Sequence, residues 1–404
     1  MRILLLNDDF PPRGMGGGAS VVSDLARGYK EAGHEVTVIT THQDSNFIER
    51  RIDNNITVIS LPIRYRESLR WYLSIWNPKA SNLLRQTLKT LSSFDLVHIH
   101  NIHHYLTYAS IKLVRKKSKK VMMTFHDVMS VSCARLTTKR YLTSKPPNFH
   151  YRISALDRLL QCGWTWNPLR NLLIRSALRH VDKKICVSKA LSDLLRVNGI
   201  ETDSVIYNGI DIDDMQMNDE PRKKLRERFQ LQGKKLIFFG GRLSKDKGFS
   251  ELMKAFETLK EAHPDAFILI VGDKNRAEKM TGNGDRSRLI ETGWQDRPAL
   301  LALMSLSSFV VTPSVCFDSF PTVNLEAMAL AKPVIATQFG GSIELILDRE
   351  TGFIVDPRDT PQFAERMKKL LDDPLLAERM GKAGQGRIAV SFTVKKQVET
   401  YLSQ

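Results

Sequence analysis

The chain has 404 residues, 42% hydrophobic and 26% charged, a composition that excludes a disordered polymer and suits two folded domains, each large enough to bury a core. Its formal charge is +16, and residues 1–200 hold 31 Lys and Arg against 14 Asp and Glu, so the whole excess lies in the first half. No apolar run reaches the roughly 20 residues of a membrane-crossing helix, and so lopsided a field points to an anionic partner: membrane lipid, a phosphorylated acceptor or nucleic acid.

The first residues, Met1-Arg-Ile-Leu-Leu-Leu-Asn-Asp-Asp, stay apolar only briefly before two carboxylates. That predicts a buried first strand rather than a signal peptide, and a cytoplasmic protein. In chain order the apolar runs are Ile3–Leu6, Val36–Thr40, Ile56–Leu61, Leu96–Ile99, Val121–Phe125, Ile185–Val187 and Val205–Tyr207. The pattern restarts near Lys234 with Leu236–Phe239, Phe267–Val271, Phe309–Val311, Val334–Ala336 and Phe353–Val355. Short continuous apolar runs separated by helical patterns predict parallel sheets with helices on both faces. The fold class is therefore α/β, two Rossmann-like doubly wound domains facing across a cleft. The polar stretch Asp211–Gly233 marks the boundary. Residues 1–212 form the acceptor-binding domain, 213–386 the donor-binding domain, and 387–404 a helix that packs back on the first domain.

Two insertions exceed a minimal layout. Arg64–Phe94 and Val128–Arg179 mix basic residues with Trp71, Trp76, Trp164 and Trp166, a composition that suits a membrane interface or an amphipathic helix with a solvated basic face. The four cysteines, Cys133, Cys162, Cys186 and Cys316, include no CxxC and are expected as reduced thiols.

Several strand ends carry candidate chemistry. The first strand runs into Gly16, Gly17 and Gly18, placed in the turn before a helix over 21–30, where backbone N–H groups can receive an anion or a sugar hydroxyl. The dinucleotide spacing GxGxxG is absent. His126, in Thr124-Phe-His-Asp127, ends another strand, where ligands of open α/β sheets sit, and Asp127 is placed to orient its ring. In the second half, Gly240-Gly-Arg-Leu-Ser-Lys-Asp-Lys-Gly248 offers Arg242 and Lys247, a forked and a point cation suited to a diphosphate. Asp318 and Glu326 follow, with a helix expected from about Val323. Glu326 suits a ribose diol, and Asp318 with the loop amides of Phe320, Pro321, Thr322 and Val323 suits a hexose.

Here the chain resembles the family 4 retaining glycosyltransferases of GT-B fold (glycosyl transferases group 1). The resemblance rests on a collinear set: the early Gly-Gly loop, Thr-Phe-His-Asp127, Val187-Ser188, Asn208-Gly-Ile-Asp211, Gly241-Arg-Leu with Lys247-Gly248, Pro313-Ser314, Asp318-x7-Glu326-Ala-Met-Ala, and Gly340-Gly-Ser-Ile-Glu344. It implies that Gly16 and Gly17 lie near the donor phosphates, that Arg242 and Lys247 hold the leaving diphosphate, that Glu326 binds the ribose, and that Asp318 and His126 contact the transferred sugar. Trp294 falls where the family shapes the base pocket. The family normally carries Glu at Asp318, so this carboxylate is set back by one methylene. The stretch after Gly272, Asp-Lys-Asn-Arg276, lacks the family's second glycine and is assigned nothing.

The expected reaction moves a hexose-type sugar from a UDP- or GDP-sugar to a carbohydrate or lipid-linked acceptor with retention, in surface polysaccharide or glycolipid synthesis. The alternatives are a GT-B sugar-nucleotide epimerase and a non-catalytic basic membrane- or nucleic-acid-binding protein. No metal and no cofactor are expected. Asp211-x-Asp213 sits at the inter-domain junction, His98 and His100 lack carboxylate or thiolate support, and Cys133, His150 and Cys162 lack metal-site spacing. A peripheral position on the inner face of the cytoplasmic membrane is expected from the basic half, and nucleic acid is not the expected partner.

Overall fold

The computed structural model describes residues 1–14, 16–215, 219–272, 280 and 286–404. It divides into two compact units: Met1–Tyr141 with His150–Gly209 and Val394–Gln404, and Leu142–Phe149 with Ile210–Thr393.

The first unit is built on an eight-stranded sheet: β1 (Arg2–Leu6), β2 (Glu35–His42), β3 (Glu49–Asp53), β4 (Ile56–Pro62), β5 (Phe94–Ile99), β6 (Ser118–Phe125), β7 (Lys183–Cys186) and β8 (Ser204–Val205). Their spatial order is β3-β4-β2-β1-β5-β6-β7-β8, parallel except for β3 against β4. The apolar runs of the first half from Ile3–Leu6 to Ile185–Val187 lie in strands covered on both faces, with Ile3, Leu4, Leu5 and Leu6 wholly buried, whereas Val205–Tyr207 contributes only Val205 to the short, half-buried edge strand β8. β3, Glu-Arg-Arg-Ile-Asp, is an exposed antiparallel edge, and a charged edge strand carries no apolar run to reveal it.

The second unit holds β9 (Lys235–Phe239), β10 (Ala266–Ile270), β11 (Leu289–Glu291), β12 (Phe309–Thr312), β13 (Val334–Thr337) and β14 (Gly352–Val355). The order is β11-β10-β9-β12-β13-β14, all parallel. Its core joins the sheet to the helices Phe249–Glu257 and Thr360–Asp372 through Phe239, Phe249, Phe256, Phe309, Phe353 and Phe363. β11 was invisible as a run because it is three residues long and half-buried.

The C-terminal stretch is two helices rather than one from 387: Pro374–Ser391 belongs to the second unit, and Val394–Leu402 to the first. On the latter, Val394, Val398 and Tyr401 share the core of the first sheet with Val22, Leu25 and Tyr29. The Tyr401 hydroxyl accepts a bond from Thr124 Oγ1 at 3.0 Å.

The cysteine expectation is corrected. Cys133 and Cys162 form a disulfide, with Cα atoms 6.2 Å apart, because the loop after β6 folds back on the helix Ala155–Cys162. Cys186 and Cys316 are buried thiols outside any disulfide. Among the described residues no helix is long and apolar enough to cross a membrane.

Candidate functional site

In each sheet the strand order reverses between two neighbouring central strands, the position at which open α/β sheets place their ligands. In the second unit the reversal lies between β9 and β12. The loop after β9 carries Arg242 and Lys247, and the loop after β12 carries Ser314 and Asp318. These loops meet directly. Lys247 Nζ forms an ion pair with Asp318 Oδ2, and Ser314 Oγ donates to the same oxygen at 2.9 Å. Both charged side chains are more than four-fifths shielded, at 14% and 18% exposure, so the pair is more strongly coupled than a surface ion pair.

Two glycines make this approach possible. Gly248 has φ 72°, and a Cβ there would lie 1.7 Å from the Pro313 carbonyl oxygen. Gly340 has φ 105°, and its Cβ would lie 2.1 Å from the Asp318 carbonyl oxygen. Both positions therefore require the residue without a side chain. The loop after β13 grips Asp318 through Asp318 N–H to Phe339 O at 3.2 Å and Gly341 N–H to Asp318 O at 2.9 Å. Three strand ends thus set one carboxylate.

The helix Thr322–Ala329 starts one residue before the expected Val323. Its cap, Pro321, supplies no side-chain bond, and Asn324 is buried between Thr312 Oγ1 at 2.8 Å and Ser342 Oγ at 3.1 Å. Glu326 lies one turn in, 8% exposed, with Oε1 3.3 Å from Arg297 Nη1.

In the first unit the reversal lies between β1 and β5. Asp8, just past β1, is buried and accepts N–H bonds from His104 at 2.7 Å, Tyr105 at 3.0 Å and Leu106 at 2.7 Å. Burial raises its carboxyl to about 7 against the opposing pull of those three donors. Arg70 Nη2 meets His104 Nε2 at 2.6 Å, and the Tyr65 hydroxyl donates to the His104 carbonyl. Past β6, His126 Nε2 lies 2.9 Å from His100 Nδ1. Burial lowers His126 to about 4, with nearby Asp127 opposing, so its ring is neutral near pH 7 and offers a hydrogen bond rather than a charge. His98 bonds to the Tyr29 hydroxyl at 3.1 Å and Thr124 Oγ1 at 2.8 Å.

Two family models between them span most of the chain. Glycosyltransferase Family 4 matches residues 15–214, and Glycosyl transferases group 1 matches residues 221–387. The chain is a family 4, group 1 glycosyltransferase. It is 25% identical over 414 aligned residues to glycogen synthase of Mycobacterium tuberculosis, covering 97% of this chain and 91% of that one. Its fold matches sucrose-phosphate synthase from Thermosynechococcus elongatus with TM-score 0.75 at 20% identity, covering 100% and 97% of the two chains. It also matches Anabaena HepE in complex with UDP-glucose with TM-score 0.69 at 20% identity, covering 100% and 99%. Two α/β units, each built on a largely parallel sheet, with these structural neighbours identify the GT-B fold.

Within this glycosyltransferase, Lys247 and Asp318 are brought into contact, and Phe320, Pro321, Thr322 and Val323 lead from Asp318 into the helix that carries Glu326. Pro321 has no N–H, so among these four the donors facing the helix start are those of Thr322 and Val323. Arg242 is exposed at the same strand end as Lys247. Gly16 and Gly17 are exposed at the start of the helix Gly17–Glu31, so the glycines form its cap and first turn rather than a preceding loop. Asp127 does not orient His126. It accepts from Met129 N–H at 2.8 Å and lies 3.4 Å from His103 Nε2, and His100 holds the His126 ring instead. Trp294 is 70% exposed beside the Gly272 N–H to Gly293 O bond of 3.0 Å. The stretch Asp273–Arg276 lies outside the described residues, as does the Trp164 side chain.

The sequence reading missed Arg297, Ser314, His100 and Asp8. Ser314 and Asp8 lie inside motifs already quoted. Arg297 had no local signal, because only the packing of its helix beside Thr322–Ala329 brings it to Glu326.

Proposed function

We propose that this glycosyltransferase moves a hexose-type sugar from a nucleotide-diphosphate sugar, UDP- or GDP-linked, to a carbohydrate or lipid-linked acceptor, with retention of configuration and without a metal. The observation that carries the reading is the Lys247–Asp318 contact at the switch point of the second unit, with Ser314 as a third partner. It joins a cation suited to phosphate with a carboxylate suited to sugar hydroxyls in one place. The relative HepE, seen with UDP-glucose, supports the donor class.

In this scheme Glu326 takes the ribose diol and the Thr322 and Val323 amides take sugar hydroxyls. Arg242 and Lys247 neutralise charge as it builds on the departing diphosphate. That is the largest contribution the protein makes, because such preorganised charges act where charge develops. The leaving diphosphate takes the proton of the acceptor hydroxyl as the new glycosidic bond forms. Neutral His126 holds a sugar hydroxyl on the side of the first unit, near Gly16 and Gly17. The product enters surface polysaccharide or glycolipid synthesis on the inner face of the cytoplasmic membrane.

Arg242→Ala and Lys247→Ala, assayed for transfer from UDP- and GDP-hexoses, should each lower kcat by about 100-fold or more. Turnover close to normal in both would refute the assignment.

A further inference from the structure

The helix Ala155–Cys162 buries none of its residues. Leu156, Leu159 and Leu160, on one face of it, are 63%, 44% and 75% exposed. The following helix, Arg170–Leu178, buries Ile174, Ala177 and Leu178 but turns Leu172 and Leu173 outward, with Leu169 just before them. An aromatic pair from the other insertion, Tyr72 and Trp76, is also exposed. The two insertions touch: the Tyr72 hydroxyl reaches the Trp166 carbonyl at 3.5 Å, and the Arg170 guanidinium lies 5.4 Å from the centre of the Trp71 ring. Scattered exposed leucines need no explanation, but six exposed leucines within residues 156–173, beside an insertion that exposes Tyr72 and Trp76 and touches theirs, do.

The charge around these leucines is one-sided. Between Val128 and Arg179 there are nine Lys and Arg and a single acid, Asp157, whose carboxylate is occupied by the Ser154 cap. Arginines line the hollows beside the apolar face. Arg152, Arg158 and Arg175 share a cavity of about 430 Å³ with Asn198 and Gly199. Arg175 and Arg179 share another of about 520 Å³ with Leu172, Leu173 and Ser176, so cation and apolar side chain border the same space. A protein partner or second copy matching this face would need a concentrated acidic surface ringed by apolar residues. This chain's second half is near neutral overall, with no excess to supply it. Exposed leucines bordering arginine-lined hollows, with exposed aromatics on the touching insertion, match the boundary between acyl chains and anionic headgroups.

The face also adjoins the first unit's polar strand ends. Both insertions leave the sheet at the carboxyl ends of their strands, after β4 and β6. Arg70, beside Trp71, contacts His104, whose N–H holds Asp8, and Arg170 donates to the Met129 carbonyl, two residues past Asp127. The Cys133–Cys162 disulfide ties the leucine-bearing helix to the loop after β6 that begins with His126.

We infer that the face formed by residues 69–76 and 155–179 docks on an anionic phospholipid surface, with headgroup phosphates in the hollows lined by Arg152, Arg158, Arg175 and Arg179, and thereby presents a lipid-linked acceptor to the strand ends of the first unit. This rests on the transfer reaction proposed above and narrows its acceptor to the lipid-linked class.

The test floats the full chain with vesicles of phosphatidylcholine alone or of equimolar phosphatidylcholine and phosphatidylglycerol. The chain should float with the anionic vesicles only, and less so as salt rises. The pairs Leu160→Asp with Leu172→Asp, and Arg175→Ala with Arg179→Ala, should each weaken partitioning about tenfold or more. Failure of the parent chain to float with anionic vesicles, or flotation of both variants equal to the parent, overturns docking. So does a parent dimer in solution that the leucine pair converts to monomer. Thermal shift with UDP-glucose and GDP-mannose separates the two ideas. Docking lost with nucleotide-sugar binding intact removes the membrane inference alone. Docking retained with no transfer to any lipid-linked acceptor removes the acceptor assignment.

Discussion

Lowering the pH from 7 to 5 should selectively destabilise the first unit. His98, His100 and His103 are 0%, 1% and 6% exposed, and burial lowers all three below the usual 6.5, His98 to about 3. Each stays neutral in the fold over this range but gains a proton on unfolding as pH falls through 6.5. The stability they contribute is therefore full above 6.5 and is lost toward the folded values. For His98 the loss between pH 7 and 5 is about 2 kcal/mol, and His100 and His103 add to it in the same direction. Asp8 works the other way. Its carboxyl, raised from 3.8 to about 7, takes up a proton in the fold first and returns about 2 kcal/mol over the same interval. His104 and His126, lowered by burial to about 3 and about 4, act in the same direction as the other histidines, so together they outweigh Asp8 and the urea unfolding midpoint falls on acidification. Four of the five tryptophans, Trp71, Trp76, Trp164 and Trp166, lie in the first unit, so urea unfolding followed by tryptophan fluorescence reports on it. His98→Gln should make the acid limb shallower by close to one proton. A midpoint that is unchanged or higher at pH 5 refutes the reasoning, as does a His98→Gln limb as steep as the parent's.

Gly248→Ala should cost about 3 kcal/mol, since its φ of 72° and the Pro313 carbonyl both oppose a side chain, and should lower turnover by displacing neighbouring Lys247; urea unfolding and initial rates check both. Asp318→Asn removes the charge that holds Lys247 and should reduce kcat/KM about 100-fold, read by steady-state kinetics, and lower the urea unfolding midpoint because Lys247 is left shielded without its partner charge. Tyr401→Phe leaves the buried Thr124 hydroxyl without this acceptor and should lower the stability of the first unit by about 1 kcal/mol, measured by the same fluorescence.

Much of the architecture is legible in the chain because buried parallel strands must be apolar on both faces. Every run but Val205–Tyr207, of which only Val205 joins the half-buried edge strand β8, became a strand for that reason, whereas β3 and β11, a charged edge and a three-residue edge, left no such trace. The site is half legible in the same way. Residues that follow a strand, such as His126, Lys247 and Asp318, are placed at the functional end of the sheet by sequence position alone.

What the linear order did not contain is which strand end lies beside which. The Lys247–Asp318 pair exists because β9 and β12 are neighbours, although Ala266–Ile270 intervenes in the chain. His126 is held by His100 rather than adjacent Asp127 because β5 and β6 run side by side and bring the residues just past their ends together. Arg297 reaches Glu326, and Cys133 reaches Cys162, across 29 residues in each case, through packing of helices and loops that no local pattern records. The sequence determined which segments are buried, since burial follows from side-chain chemistry. Only the tertiary structure decided the pairings, because a contact between distant residues depends on sheet order and loop path, which many sequences share and no short stretch specifies.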